Sequence, residues 1–202
     1  EVILDLEDAV APQQKPTARG MVASALRRGG FAAPTVAVRI NAVDGPHAHR
    51  DLIDAVGAAP SGVGIVVVPK VESPAELAFV DHLLAGIEHD HRIPVGTIGL
   101  EAQIESAAGL VAADRIAAAC PRRMEALVLG PGDLAADLGM VTTTIGGDVE
   151  GYPGDGWHAV RMGLRVAARA AGLQVVDGPY AQLDDPGGLE RHARHARSLG
   201  YD

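Results

Sequence analysis

Val36-Ala37-Val38-Arg39-Ile40-Asn41 reads as a short β-strand that ends in chemistry. Alternation puts Val36, Val38 and Ile40 on one face and Ala37, Arg39 and Asn41 on the other. The same figure, an apolar run stopping at a polar or charged residue, recurs in Leu4-Asp5-Leu6-Glu7-Asp8, from Ile65 to Glu72, from Ile98 to Glu105, from Leu127 to Asp133, and from Val175 to Asp177. In an α/β barrel branched side chains fill the interior, and the residues just past the carboxyl end of each strand converge on one open face. Helical stretches separate the runs at a spacing of about 30 residues, the size of a βαβ unit. Helices are predicted over 15–28, 46–56, 74–87, 106–119, 133–138, 155–171 and 186–199. Pro16 and the Gly29-Gly30 stop bracket the first, and Ser73-Pro74-Ala75-Glu76 starts the third. The long irregular segment from Met140 to Gly156, rich in Gly, Thr and Asp, has the length of a functional or disordered loop.

The expected fold class is therefore α/β, a (β/α)8 barrel, with residues 1–202 forming a single catalytic domain. About six of the eight units are legible. The text opens inside a strand at Glu1-Val2-Ile3-Leu4 and stops where another would begin at Tyr201-Asp202, so a first strand unit and a C-terminal segment are expected to lie outside it. The doubly wound alternative lacks its fingerprint, because Gly62-Val63-Gly64 precedes an apolar run instead of opening a helix.

Composition narrows the partners. Hydrophobic residues make up 48% of the chain and aromatics 3%, so the core must be aliphatic. A formal charge of −9 speaks against nucleic acid and against anionic membrane surfaces. The one cysteine, Cys120, allows no internal disulfide framework and no CxxC pair; between Ala119 and Pro121 it reads as a small core residue, not a nucleophile. With no basic leader and no long apolar run, the reading is a soluble, unsecreted, cytoplasmic protein.

Six motifs in register carry a resemblance: Leu4 to Pro12 followed by Lys15 and Arg19, Val38-Arg39-Ile40-Asn41, Pro69-Lys70-Val71-Glu72, Ile104-Glu105-Ser106, Gly130-Pro131-Gly132-Asp133-Leu134, and Asp177-Gly178-Pro179-Tyr180. Together they resemble the citrate lyase β-subunit family of the HpcH/HpaI aldolase superfamily. The stretch from Gly151-Tyr152-Pro153-Gly154-Asp155 to Tyr180 is more similar still to its malyl-CoA and β-methylmalyl-CoA lyase branch. The resemblance implies a magnesium ion, an acyl-CoA and a 2-oxo acid as small-molecule substrates, reversible carbon–carbon cleavage, and homotrimers or homohexamers. Three rivals stay open: a thioesterase on the same scaffold, a citrate lyase subunit acting on an acyl carrier protein, and a non-catalytic barrel subunit.

Retro-aldol cleavage of a 3-hydroxyacyl thioester leaves a carbonyl compound and an enolate, so the site must steady oxygen-centred charge on both halves. Magnesium suits that work and takes one or two protein carboxylates, keeping places for water and substrate. Glu105 and Asp133, at the ends of consecutive predicted strands, fit the need, and the family's ligands fall on them; helix-terminal capping is the bland alternative for each. Arg39 offers a planar fork for a carboxylate and a neighbouring carbonyl, the contact that the family's arginine makes with the 2-oxo acid; a structural ion pair with Glu7 or Asp8 is the bland alternative, and the two are compatible. Glu7 and Asp8 are adjacent, so one of them is expected to face inward, to hold metal-bound water or to orient Arg39, with simple capping of the first helix as the alternative. Lys70 shares a strand face with Glu72, as a cross-mouth ion pair or as a substrate contact. Gly132, in Gly130-Pro131-Gly132, lets backbone N–H groups approach an anion or merely turns the chain. His47-Ala48-His49 and His89-Asp90-His91 read as solvated surface. His158, beside Trp157, shapes the acyl pocket or packs the loop. The family's general acid/base comes from a C-terminal segment of a neighbouring subunit, so no proton-transfer residue is named.

Overall fold

A computed structural model describes residues 1–142, 145, 146 and 151–202. Part of the irregular segment from Met140 to Gly156, namely 143, 144 and 147–150, lies outside the described residues. Among the described residues the strands are β1 (Val2–Asp5), β2 (Val36–Arg39), β3 (Ile65–Val68), β4 (Gly99–Ile104), β5 (Met124–Leu129) and β6 (Gln174–Val176). They form one sheet in the order of the chain. The pairing is parallel, with Asp5 opposite Arg39, Arg39 opposite Val67, and Leu127 opposite Val175. Helices fill the connections, as parallel strands demand.

The chain packs as two compact units. The first comprises Glu1–Pro69, Pro74–Glu101 and Ala119–Glu125. It holds β1 to β3, α1 (Lys15–Arg28), α2 (Ala48–Arg50), which runs on as a π-helical turn over Asp51–Val56, and α3 (Pro74–Asp90). Helix α1 has the predicted bounds: Pro16 fits its first turn, and Gly29, at φ 60°, returns its N–H to Ala25 O. Helix α3 runs three residues past its predicted end, and its end is anchored. The buried Arg123 donates to both oxygens of Glu88, at 2.9 and 2.7 Å, to Ile98 O at 3.0 Å, and to Asp81. Burial opposes ionisation of Glu88, but Arg123 and the N–H groups of Ile98 and Gly96 outweigh it and hold the carboxyl below its usual range.

The second unit comprises Lys70–Ser73, Ala102–Ala118 and Ala126–Asp202. It carries the ends of β4 and β5, then β6, with α4 (Ala107–Val111), α5 (Ala113–Ala117), α6 (Pro131–Asp137), α7 (His158–Ala170) and α8 (Pro186–Ser198). The single helix predicted over 106–119 is two, because Ala112 sits at φ −93°, ψ 3° between α4 and α5. Helix α7 begins at His158, not at Asp155, because the Asp155 carboxylate accepts the Trp157 N–H at 2.9 Å and turns the chain into the helix. Trp157 is fully buried. No helix among the described residues is long and apolar enough to cross a membrane.

Candidate active site

Strand β2 delivers Arg39 to its carboxyl end, and the parallel register sets Asp5 of β1 directly across from it. Asp5 takes one whole edge of the guanidinium: Nε donates to Oδ1 at 2.9 Å and Nη2 to Oδ2 at 2.6 Å. Glu7 Oε2 lies 3.2 Å from Nη1. Glu7 is buried and Asp8 exposed, so of the two adjacent acids it is Glu7 that faces the arginine. Burial works against ionisation of Asp5, yet the Arg39 hydrogen bonds, the N–H groups of Glu7 and Ala9 and the arginine's charge hold its carboxyl below the ordinary range. The same hydrogen bonds, with the charges of Asp5, Glu7 and Asp8, raise Arg39 further above neutrality.

A buried polar layer supports this loop from beneath. Lys15 Nζ donates to Leu6 O at 2.8 Å and Glu7 O at 2.7 Å, capping carbonyls that the end of β1 leaves open. Asn41, past the end of β2, donates to Leu6 O and to Asp51 Oδ2, and Asp51 accepts Arg19 Nε at 2.7 Å. Arg19 also reaches the ring of His47 at 3.3 Å. His47 is thus half-buried against an arginine instead of solvated, whereas His89 and His91 are exposed.

In the second unit the site is built around Glu105, one residue past β4 and 5% exposed. Its Oε1 accepts the Lys70 N–H at 2.8 Å and its Oε2 the Gln103 side-chain amide at 2.7 Å. A side chain at Gly130 would run into Cβ and Oε2 of Glu105, so the close approach demands glycine. Lys70 Nζ lies 3.1 Å from Asp133 Oδ2, both side chains being nearly half exposed. One residue thus touches both carboxylates, by its N–H and by its ammonium. β3 ends at Val68 and Lys70 turns to φ 54°, so the strand alternation that would set Lys70 and Glu72 on one face stops before them. Asp133 stands in the first turn of α6, with Gly132 before it, where an added Cβ would make ordinary contact with Ile145.

His158 is exposed at the first turn of α7, while Trp157 is core. Behind Trp157, Arg161 pairs with Asp155 at 3.3 Å and Asp177 at 3.3 Å; His195 and His192 close the cluster at 2.9 and 3.1 Å from those two acids. Burial disfavours the Asp155 carboxylate, but the Trp157 N–H and the His195 and Arg161 side chains hold it below its usual range. Cys120 is a half-buried free thiol whose pKa burial and Asp81 raise, the opposite of activation. Sequence reasoning missed Asp5, Gln103 and Glu101. The signal was present: period-two alternation puts Glu101, Gln103 and Glu105 on one face of β4, opposite the fully buried Leu100, Ala102 and Ile104.

A family model described as HpcH/HpaI aldolase/citrate lyase matches residues 1–202. The chain belongs to that family. It is 36% identical over 208 residues to an L-malyl-CoA/beta-methylmalyl-CoA lyase of Cereibacter sphaeroides, a match covering 98% of this chain and 65% of that one. It is 34% identical to a citrate lyase subunit beta of Leuconostoc mesenteroides subsp. cremoris, over 100% of this chain and 63% of the relative. The chain thus spans just under two thirds of the length of these curated relatives. A citrate lyase beta subunit from M. tuberculosis, solved with oxaloacetate and magnesium, superposes with a TM-score of 0.75 at 33% identity over 100% of this chain and 78% of that one. The fold is that of a (β/α)8 barrel, with six strands among the described residues.

Among the described residues no group of three or more His, Cys, Asp and Glu side chains is arranged to hold a metal. The donor set that is present suits magnesium nonetheless. One or two carboxylates are what that ion ordinarily takes from a protein, and the glycine at 130 lets the backbone approach one of them closely.

Proposed function

We propose that the protein is a magnesium-dependent carbon–carbon lyase that splits a malyl-CoA-like 3-hydroxyacyl thioester into a 2-oxo acid and an acyl-CoA. The observation that carries this reading is the contact of Lys70 with both Glu105 and Asp133, in a chain similar to malyl-CoA lyases. Glu105 and Asp133 are the metal ligands in this reading. Magnesium, when bound, supplies Lewis-acid stabilisation of the oxygen-centred charge that cleavage creates.

The chain's own residues do the rest. Arg39 meets the 2-oxo acid, its fork fixed by Asp5 and Glu7 and still carrying N–H bonds on Nη1 and Nη2 for a further acceptor. Glu7 orients it, and Asp8 adds negative charge beside it. The Lys70 ammonium exchanges Asp133 for a substrate anion, which frees the carboxylate for the cation. Gly132 lets the backbone approach that anion, and His158 borders the acyl group. The protein works in the cytoplasm as a homotrimer or homohexamer.

Product identification by mass spectrometry tests the reading. Malyl-CoA with the protein and magnesium should give glyoxylate and acetyl-CoA, and nothing when a chelator is present. Free CoA with intact malate would make it a thioesterase. Turnover of an acyl-carrier-protein thioester but not of CoA esters would make it a citrate lyase subunit. No turnover of either, with metal bound, would favour a non-catalytic barrel.

A further inference from the structure

Gln103 and Glu105 leave β4 on the same face, two residues apart, so the amide and the carboxylate meet at 2.7 Å. The Lys70 N–H holds the other carboxylate oxygen at 2.8 Å. With one donor on each oxygen, the carboxylate cannot turn about its Cγ–Cδ bond without losing a hydrogen bond. A third constraint is steric, since a Cβ at residue 130 would overlap Glu105 and stand 3.1 Å from Gln103 Nε2.

Two features separate this arrangement from ordinary satisfaction of a buried acid. Lys70 holds φ at 54°, a left-handed conformation that is strained for a non-glycine residue, while its N–H reaches Oε1. Strain of that kind persists where the surroundings over-determine it. The second feature is the choice of donor. Gln103 supplies a neutral amide, which orients the carboxylate by hydrogen bonding and adds no charge of its own.

We infer that Gln103 is a positioning residue that aims the Glu105 carboxylate at the metal, with the Lys70 N–H and the glycine at 130 holding that aim. This rests on the reading of Glu105 as a metal ligand. The hydrogen-bond partners of metal ligands typically contribute about 10–100-fold in affinity, and Gln103 falls in that class.

The test uses Mn²⁺ as the probe, with free ion counted by electron paramagnetic resonance, on the full-length protein and three variants. Gln103→Met keeps length and removes the donor; it should weaken Mn²⁺ binding about 10-fold or more. Gln103→Asn, one methylene short, should fall between it and wild type. A merely structural role would lower the unfolding temperature and leave the affinity of the folded protein unchanged, so wild-type affinity in Gln103→Met overturns the inference. If the Met variant does not fold, the Asn variant decides by the same criterion. Glu105→Gln separates the two levels of argument: it should lose Mn²⁺ binding, and wild-type affinity there would overturn the metal-ligand reading itself.

Discussion

Two ion pairs, one at the carboxyl end of β2 and one between the segment after β3 and the first turn of α6, are built to opposite specifications. Arg39 is closed in: Asp5 holds one edge of its fork, Glu7 a further nitrogen, and the side chains of Arg39 and Asp5 are 23% and 20% exposed. Lys70 and Asp133 meet through a single contact at 3.1 Å and are 41% and 47% exposed. A closed pair holds a charge that must not move. An open pair suits charges that exchange, and in the proposed function a cation would replace the ammonium on Asp133 and a substrate anion would replace Asp133 on the ammonium.

The largest expected effect strikes the closed pair. Arg39→Lys keeps the charge but loses the planar fork, and steady-state turnover should fall by about 10²-fold or more, the scale of one preorganised group that stabilises developing charge. An unchanged rate would reduce Arg39 to scaffold and erase the contrast.

Next in size is Asp5→Asn, which leaves the guanidinium without its bidentate partner. Denaturant unfolding at pH 7 should show a loss of about 1.5–3 kcal/mol, the range for a hydrogen bond to a charged group. Because the folded-state pKa of Asp5 is depressed, its contribution is present above the ordinary carboxylate range and disappears as pH falls through the lowered value. The gap between wild type and variant should therefore narrow at pH 3. A gap independent of pH would mean that packing, not charge, holds the pair.

Glu101 runs the other way. Burial, with Glu1 and Glu125 nearby, pushes its carboxyl up to about 7. The folded state then binds its proton more tightly than the unfolded chain, and stability is lost as pH rises from the ordinary carboxylate range through about 7. Glu101→Gln should raise the thermal midpoint at pH 8 and leave it nearly unchanged at pH 4. An equal shift at both would show that the carboxyl does not titrate in that window.

The smallest effect belongs to the open pair. Lys70→Gln should change stability by no more than about 1 kcal/mol, as exposed pairs do, and should modestly raise Mg²⁺ affinity by releasing Asp133. A larger loss of stability would place Lys70 with the closed pair instead.

The architecture was legible because strand ends and helix signals are local. Pro16 and Gly29 bracket α1, and each apolar run stops where its strand does, within a residue or a few. What escaped depends on pairing or on backbone turns. Asp5 is Arg39's partner only because the parallel register sets them opposite each other, and no property of either run alone fixes that register. A strand face shared by Lys70 and Glu72 requires β3 to continue, but β3 ends at Val68 and Lys70 is left-handed. Gln103 is the exception. It stood in plain alternation with Glu105 and was passed over because an amide carries no charge to draw notice.

The central claim is that Glu105 and Asp133 form the cation site, and calorimetric titration of Mg²⁺ into wild type, Glu105→Gln and Asp133→Asn tests it most directly. Each substitution removes a charge and keeps the volume. The account predicts saturable binding by wild type, with heat lost in both variants while their unfolding curves stay cooperative. Wild-type affinity in both variants would contradict it.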